Sequence, residues 1–454
     1  MRFSIPQLLS LILCFTLFYL PRVNIVQASE TIYIKADGSV SPSTAPITRE
    51  GNIYVFTADI TNNSIVIEKS NVEIDGAEHT LQGTGVYNGS GFYLENVRGV
   101  TIKRVKICKF YWGVQMHLCS NCAILENEIS TNSYGITPSW SNNSIIARNK
   151  VINNKGGGIY LVNSFDFLVA GNVVTSNDFF GIRLTSSSNC TIVENVVANS
   201  KGVWIYMVLS NNNIIYHNNF IEHNAHAFSS RSINVWDNGF PSGGNYWGDY
   251  NGTDATRDGI GETWYEIDEN NKDRHPLTGM FSRFNTSLDY CINVISNFSI
   301  EDFNYFKSNN TIRMNLFNVT ADQASGFSRL CIPKILFSPP YTVTFDNGLT
   351  EVLNINDTIY DNSAHVWIYL AYAHSTCEVS IQGCSPQAEP FPIWVVYAIV
   401  ATAGAGAILL VYFTKIKKQP RKSNNHSSVS VSINHAILHD SNISIHHNSQ
   451  KKTC

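Results

Sequence analysis

The stretch NKVINNKGGGIYLVNSFDFLVAGNVVTSNDFFGIRLTSSSNCTIVENVV, residues 149–197, decides the fold. Asn149-Lys150-Val151, Asn172-Val173-Val174 and Asn195-Val196-Val197 are like fragments spaced 23 residues apart. Working outward, the fragment returns as Asn127-Glu128-Ile129 and Asn218-Asn219-Phe220, so Asn127, Asn149, Asn172, Asn195 and Asn218 recur every 22 to 23 residues. Between them a Gly introduces an apolar-x-apolar triplet: Gly113-Val114-Gln115-Met116, Gly135-Ile136-Thr137-Pro138, Gly158-Ile159-Tyr160-Leu161, Gly181-Ile182-Arg183-Leu184 and Gly202-Val203-Trp204-Ile205. Alternation in segments too short for helices is strand-like. Several short strands per 22 to 23 residues fit a right-handed parallel β-helix, each coil stacking about 4.8 Å beyond the last. Six or seven coils between Val72 and Trp236 give a rod roughly 30 Å long. A leucine-rich repeat shares this period but needs a Leu-x-x-Leu-x-Leu frame, which is absent. The recurrent Asn is expected to bond its counterpart one coil away, forming a ladder inside a turn that tolerates left-handed backbone.

Composition agrees with a scaffold of this kind. The 454 residues include 50 Asn and only 15% charged residues, against about 25% in a typical domain. With 44% hydrophobic residues the chain is too apolar to be disordered. A net charge of −4 gives no reason to propose nucleic acid as a partner.

Both ends point to a membrane. Arg2, the apolar run Leu8 to Leu20 and Val26-Gln27-Ala28 read as a signal peptide over 1–28. Residues 391–413 are apolar and long enough to span a bilayer as a single C-terminal helix. Lys415, Lys417, Lys418, Arg421 and Lys422 follow, which puts the tail, 414–454, in the cytoplasm and the rest outside the cell. Between these ends we expect an all-β chain: an N-terminal β segment and cap at 29–71, the β-helix at 72–240, a Gly-rich cap at 241–284 and a small membrane-proximal β-sandwich at 285–388. Cys291, Cys331, Cys377 and Cys384 of the last module suffice for two disulfides in an oxidising compartment.

The cap holds Gly243-Gly244-Asn245-Tyr246-Trp247-Gly248-Asp249-Tyr250, followed by Asp258-Gly259-Ile260-Gly261 and by Asn271-Lys272-Asp273-Arg274-His275-Pro276-Leu277. Together with the Asn repeats, this cap resembles the NosD-type β-helix family, labelled periplasmic copper-binding proteins, and especially its archaeal surface-protein branch. The resemblance covers about Val72 to Leu277 and implies a secreted right-handed β-helix and, for NosD proteins proper, a part in copper-centre assembly. This chain departs from that pattern by its further exterior module and anchor, and by lacking a Met- or Cys-rich copper motif.

Side chains alternate along a strand, so the middle residue of each triplet is expected to face solvent. One outward column is then Gln115, Thr137, Tyr160, Arg183 and Trp204; the next is His117, Ser139, Val162, Thr185 and Tyr206. Aromatic faces suit sugar rings and Arg183 suits hydroxyls or carboxylates, which makes this sheet a candidate surface for extracellular carbohydrate or another cell-envelope polymer. The alternatives are a NosD-like metal-handling protein and a polysaccharide lyase or hydrolase. Glycosidic hydrolysis usually needs two carboxylates. Glu126, Glu128, Asp166, Asp178, Glu194 and Glu222 all fall on predicted turns or flanks, so no catalytic residue is evident. His217, His223 and His226 are the imidazole candidates for copper or zinc. Asp254, Asp258, Glu262 and Asp268 are the oxygen candidates for a calcium-stabilised loop; Tyr265 replaces the bidentate Glu of an EF-hand.

Overall fold

The computed structural model describes residues 30–385, apart from 86–88, 199, 222–226, 320–324, 346–347, 349, 354–356 and 373–375. The expected leader, membrane span and tail lie outside the described residues. Among those described, no helix is long and apolar enough to cross a membrane.

Three parallel sheets, one of ten strands and two of nine, wrap a single apolar core. One coil shows the plan: Phe180–Thr185 lies in the first sheet, Thr191–Val193 in the second and Val196–Ala198 in the third. Each interior position stacks on its like. Ile159, Ile182 and Ile205 lie in register in the first sheet, and Val151, Val174 and Val197 in the third. Stiff β-branched residues fill such a pleated, inward-facing surface well. The parallel β-helix begins earlier than expected. Glu30–Ile34 pairs parallel with Asn63–Ile67 in the first sheet, and Ile53–Phe56 pairs parallel with Glu73–Asp75 in the second. From Glu30, this segment thus adds parallel strands to the solenoid sheets, with Val40–Ser41 and Ile47–Glu50 paired antiparallel at their edge.

The Asn ladder is present and longer than its repeat. Nδ2 of Asn127 donates to Oδ1 of Asn149, which continues to Asn172, Asn195, Asn218 and Asn245 at 2.9–3.0 Å. Each backbone N–H adds a second bond to the same oxygen. The left-handed residue of the turn is the one before each Asn: Glu126, Arg148, Gly171, Glu194 and His217 all have φ between 55° and 62°. Two more ladders share the period, Asn132, Asn154 and Asn177, and Ser141, Ser164, Ser187, Ser210 and Ser232, while a third, Asn213, Asn234 and Asn271, runs at 21 and then 37 residues.

The solenoid ends on an aromatic plug. Trp204, Phe220, Trp236 and Trp247 are fully buried, with Trp247 4.6 Å from Phe220 and 4.2 Å from Tyr265 by ring centroids. Tyr246–Trp247 adds a strand to the third sheet, and the hairpin Tyr265–Asp268/Asn271–Asp273 follows.

Two five-stranded antiparallel sheets form the following module, starting at Met280. Val294, Leu330 and Ile368 of one sheet meet Met314, Val343 and Val379 of the other in one core, a sandwich arrangement. Its first strand docks on the solenoid: the Asn219 side chain exchanges two 2.8 Å bonds with the Phe281 backbone. Cys331 and Cys384 carry free thiols, so the two disulfides open to this module do not both form.

Candidate functional site

The outer face of the first sheet is built by strands whose register is fixed from inside. Arg183 pairs with Tyr160 on one side and Tyr206 on the other, and Tyr206 with Phe228. The observed column is thus Tyr93, Gln115, Thr137, Tyr160, Arg183, Tyr206 and Phe228. Trp204 does not belong to it. Its side chain is 0% exposed, and its indole N–H donates to the Ile221 carbonyl at 3.0 Å. The expected alignment had matched Gly202 to Gly181, whereas the pairing of Ile182 with Ile205 puts Trp204 in the glycine slot. At Gly181 a Cβ would strike Val197 and the Trp204 carbonyl of the next coil, so glycine is required there. In the final coil the slot instead takes the indole that begins the plug. Tyr206 consequently moves from the second expected column to the first; the second is Glu95, His117, Ser139, Val162, Thr185 and Val208.

The rings on this face touch one another along the rod. Tyr111 lies 5.7 Å from Tyr134, Tyr134 6.4 Å from Tyr160, and Tyr160 5.6 Å from Phe180. Phe180 can lie over Gly157 because that residue has no Cβ to meet the ring. The Arg183 guanidinium carbon sits 4.7 Å from the Tyr160 centroid and 4.9 Å from that of Tyr206. Tyr206 then stacks on Phe228 at 4.6 Å and 15°. Both tyrosines are thus within cation–π distance of one guanidinium. Gln115 accepts from Ser90 Oγ at 2.7 Å, and His117 Nδ1 lies 3.0 Å from Ser139 Oγ. Thr137 is nearly buried, and its hydroxyl has no hydrogen-bond partner.

Glu95 stands in the second column of this face; the acidic candidates of the later coils pair elsewhere. Glu126 pairs with Arg148, Asp178 with Lys201 and Glu194 with Arg283; Glu222 lies outside the described residues.

Among the described metal candidates, Asp254, Asp258 and Glu262 share one loop, while His217 stands apart. His217 is buried, stacks 4.0 Å from Phe281, and bonds through Nε2 to the Ser242 carbonyl at 3.0 Å. Burial pushes its pKa down to about 4. His223 and His226 lie outside the described residues. In the proposed calcium loop, Asp254 accepts from the Asp258 and Gly259 amides, Glu262 from those of Ala255 and Thr256, and Asp258 from Ile260. Asp268 instead accepts from Asn270 and Asn271. Asx-type turns thus occupy these oxygens. No group of three or more His, Cys, Asp or Glu that would hold a metal occurs among the described residues, so the donors shown there do not fit copper or calcium.

Sequence reasoning missed the carboxylate at the end of the Asn ladder. Asp273 accepts from the Asn245 backbone amide at 2.7 Å, its side-chain amide at 3.3 Å and the Trp247 indole at 2.9 Å. Burial pushes its pKa up to about 7 despite these donors. The Asn-to-Asn spacing of 27 and then the change of residue type at 273 hid this continuation.

Residues 46–252 match the family model of NosD, described as a periplasmic copper-binding protein. That match, with the solenoid, supports a NosD-type parallel β-helix over this region; a periplasmic family is consistent with an exported chain. No curated protein matches the chain. Among solved structures it is similar to a mutant of the periplasmic alginate epimerase AlgG, at 24% identity and a TM-score of 0.31, over 37% of this chain and 39% of that one. It is also similar to tailspike protein 2 of an Escherichia coli bacteriophage, at 12% identity and a TM-score of 0.36, over 74% and 65%. An alginate lyase from Paenibacillus is similar at 14% identity and a TM-score of 0.27, over 41% and 91%. The chain thus spans less than half the length of the epimerase it matches.

Proposed function

We propose that this chain is an exported, membrane-anchored surface protein whose first sheet binds extracellular carbohydrate or a cell-envelope polymer. The observation that carries the reading is the continuous row Tyr134, Tyr160, Arg183, Tyr206 and Phe228 on one outer face, underlain by the buried Phe180. Rings in a row along a rigid rod offer repeated apolar edges and hydroxyls to a repeating polymer, and the scaffold supplies them without ordering cost on binding. Tyr160→Ala and Tyr206→Ala, introduced together, are expected to abolish retention on a polysaccharide panel. Unchanged retention overturns the reading. The face is read as binding rather than catalytic because no carboxylate pair stands on it; release of reducing ends or unsaturated products from the same panel would overturn that.

A copper-handling role is the second reading, supported by the family match over 46–252. Metal analysis of the full chain after dialysis tests it: about one copper retained per chain favours it, and none counts against it.

A further inference from the structure

We propose that the ligand of this face carries carboxylates, and that Arg183 reads them; the inference rests on the binding role proposed for the face. In the six strands from Trp112–His117 to Ala227–Ser230, Arg183 is the only Asp, Glu, Lys or Arg. Only its Nε is engaged, by Thr185 Oγ1 at 3.3 Å. Among the described residues no acceptor lies within bonding distance of its two terminal nitrogens, and no acidic residue pairs with it. Tyr160 and Tyr206, on the coils either side, flank the guanidinium, with its carbon 4.7 and 4.9 Å from their ring centroids. A planar cation fixed in this way, with paired N–H donors left over, matches the two oxygens of a carboxylate. The surrounding hydroxyls and rings are uncharged, so the positive charge is not cancelled on the face. Neighbouring coils stand about 4.8 Å apart, close to the length of one sugar unit, so a uronate seated at Arg183 leaves its neighbours against Tyr160 and Tyr206.

Calorimetric titration of the full chain with short oligomers of galacturonate and of mannuronate, each as free acid and as methyl ester, tests this. The wild type is expected to bind at least one free acid about 10- to 100-fold more tightly than its ester. Arg183→Gln is expected to reduce acid binding to the level of the ester in the same variant, abolishing the acid-to-ester preference. Arg183→Lys, which keeps charge but loses the fork and the stacking, is expected to fall between them. An unchanged melting temperature in both variants shows that the rod remains folded. Esters bound as tightly as acids, or an acid-to-ester ratio that survives Arg183→Gln, overturn the inference while leaving the face a binding surface. If neither form binds the wild type, the binding role of the face falls with it.

Discussion

Asn172 serves five hydrogen bonds with one short side chain and its own amide. Its Oδ1 accepts twice from Asn149, its Nδ2 donates to Asn195 Oδ1 and the Ile146 carbonyl, and its N–H donates to the same Asn195 oxygen. Asn172→Ala strands two buried donors on Asn149 and one carbonyl on Ile146, a loss expected to exceed about 3 kcal/mol. Urea unfolding checks this; a loss below about 1 kcal/mol would show that the ladder is ornamental. Thr137 makes the opposite case. Its hydroxyl is buried and unpartnered, so Thr137→Val is expected to stabilise the protein by about 1 kcal/mol, read from the melting temperature. The ladder Asn was legible in the sequence because its amide must repeat with the coil. Trp204 was not: whether a slot needs glycine depends on the coil stacked over it, and the last coil has a different neighbour.

At the scale of the element, the cap hairpin gathers the titrating groups. Burial would raise the Asp237 carboxyl, but the His275 ring and the Arg274 and Gly239 amides outweigh it and hold it low. The same Asp237 holds His275 above the ordinary imidazole range. Asp273 is raised to about 7. A raised carboxyl favours the protonated folded state, so its contribution is full below the ordinary carboxylate range and lost as pH rises through about 7. His275 contributes fully below about 6.5 and loses its contribution as pH rises through its raised value. Asp237 acts at the acid end, where its contribution disappears as pH falls below the carboxylate range. Asp273 and His275 therefore favour the cap at pH 5 over pH 8, while buried His217, held down to about 4, opposes them because its neutral ring gains stability as pH rises through the ordinary imidazole range. Urea midpoints followed by tryptophan fluorescence at the two pH values check this: Asp273→Asn is expected to shift the pH 5 to pH 8 difference toward greater relative stability at pH 8. A difference that Asp273→Asn leaves unchanged overturns the assignment. The cap motif was visible in the sequence as a block of Gly and aromatic residues. What each does was not, because Asn245 and Trp247 take their roles from Asp273, 26 to 28 residues away.

Across the whole described unit, the solenoid and the sandwich share a polar and aromatic seam. Asn219 bonds the Phe281 backbone twice, His217 stacks on the Phe281 ring, and Arg283 pairs with Glu194. Asn219→Ala is expected to split thermal unfolding into two calorimetric transitions, whereas a single transition as in the wild type would place the coupling elsewhere. The seam was illegible beforehand, since His217 looked like a free ligand until its partner strand was in place. The boundary between the modules moved for the same reason: Met280–Asn285 pairs with Cys291–Ser296 rather than with the cap.

The ladders also give the rod a direction. Along the ladder from Asn127 to Asn245 each side-chain amide gives one N–H to the next Asn toward the C-terminal end and another to a carbonyl of the coil before, so a stack cut there would expose Asn oxygens at one face and amide donors at the other, ready to take on another copy. Asn245 instead hands its donors to Asp273, and Asn271 hands its own to both oxygens of Asp268. A carboxylate accepts but has no N–H to pass on. In the language of polymer chemistry these two residues are chain terminators: they end growth of the fold within the molecule and leave nothing at that end to start it in the next.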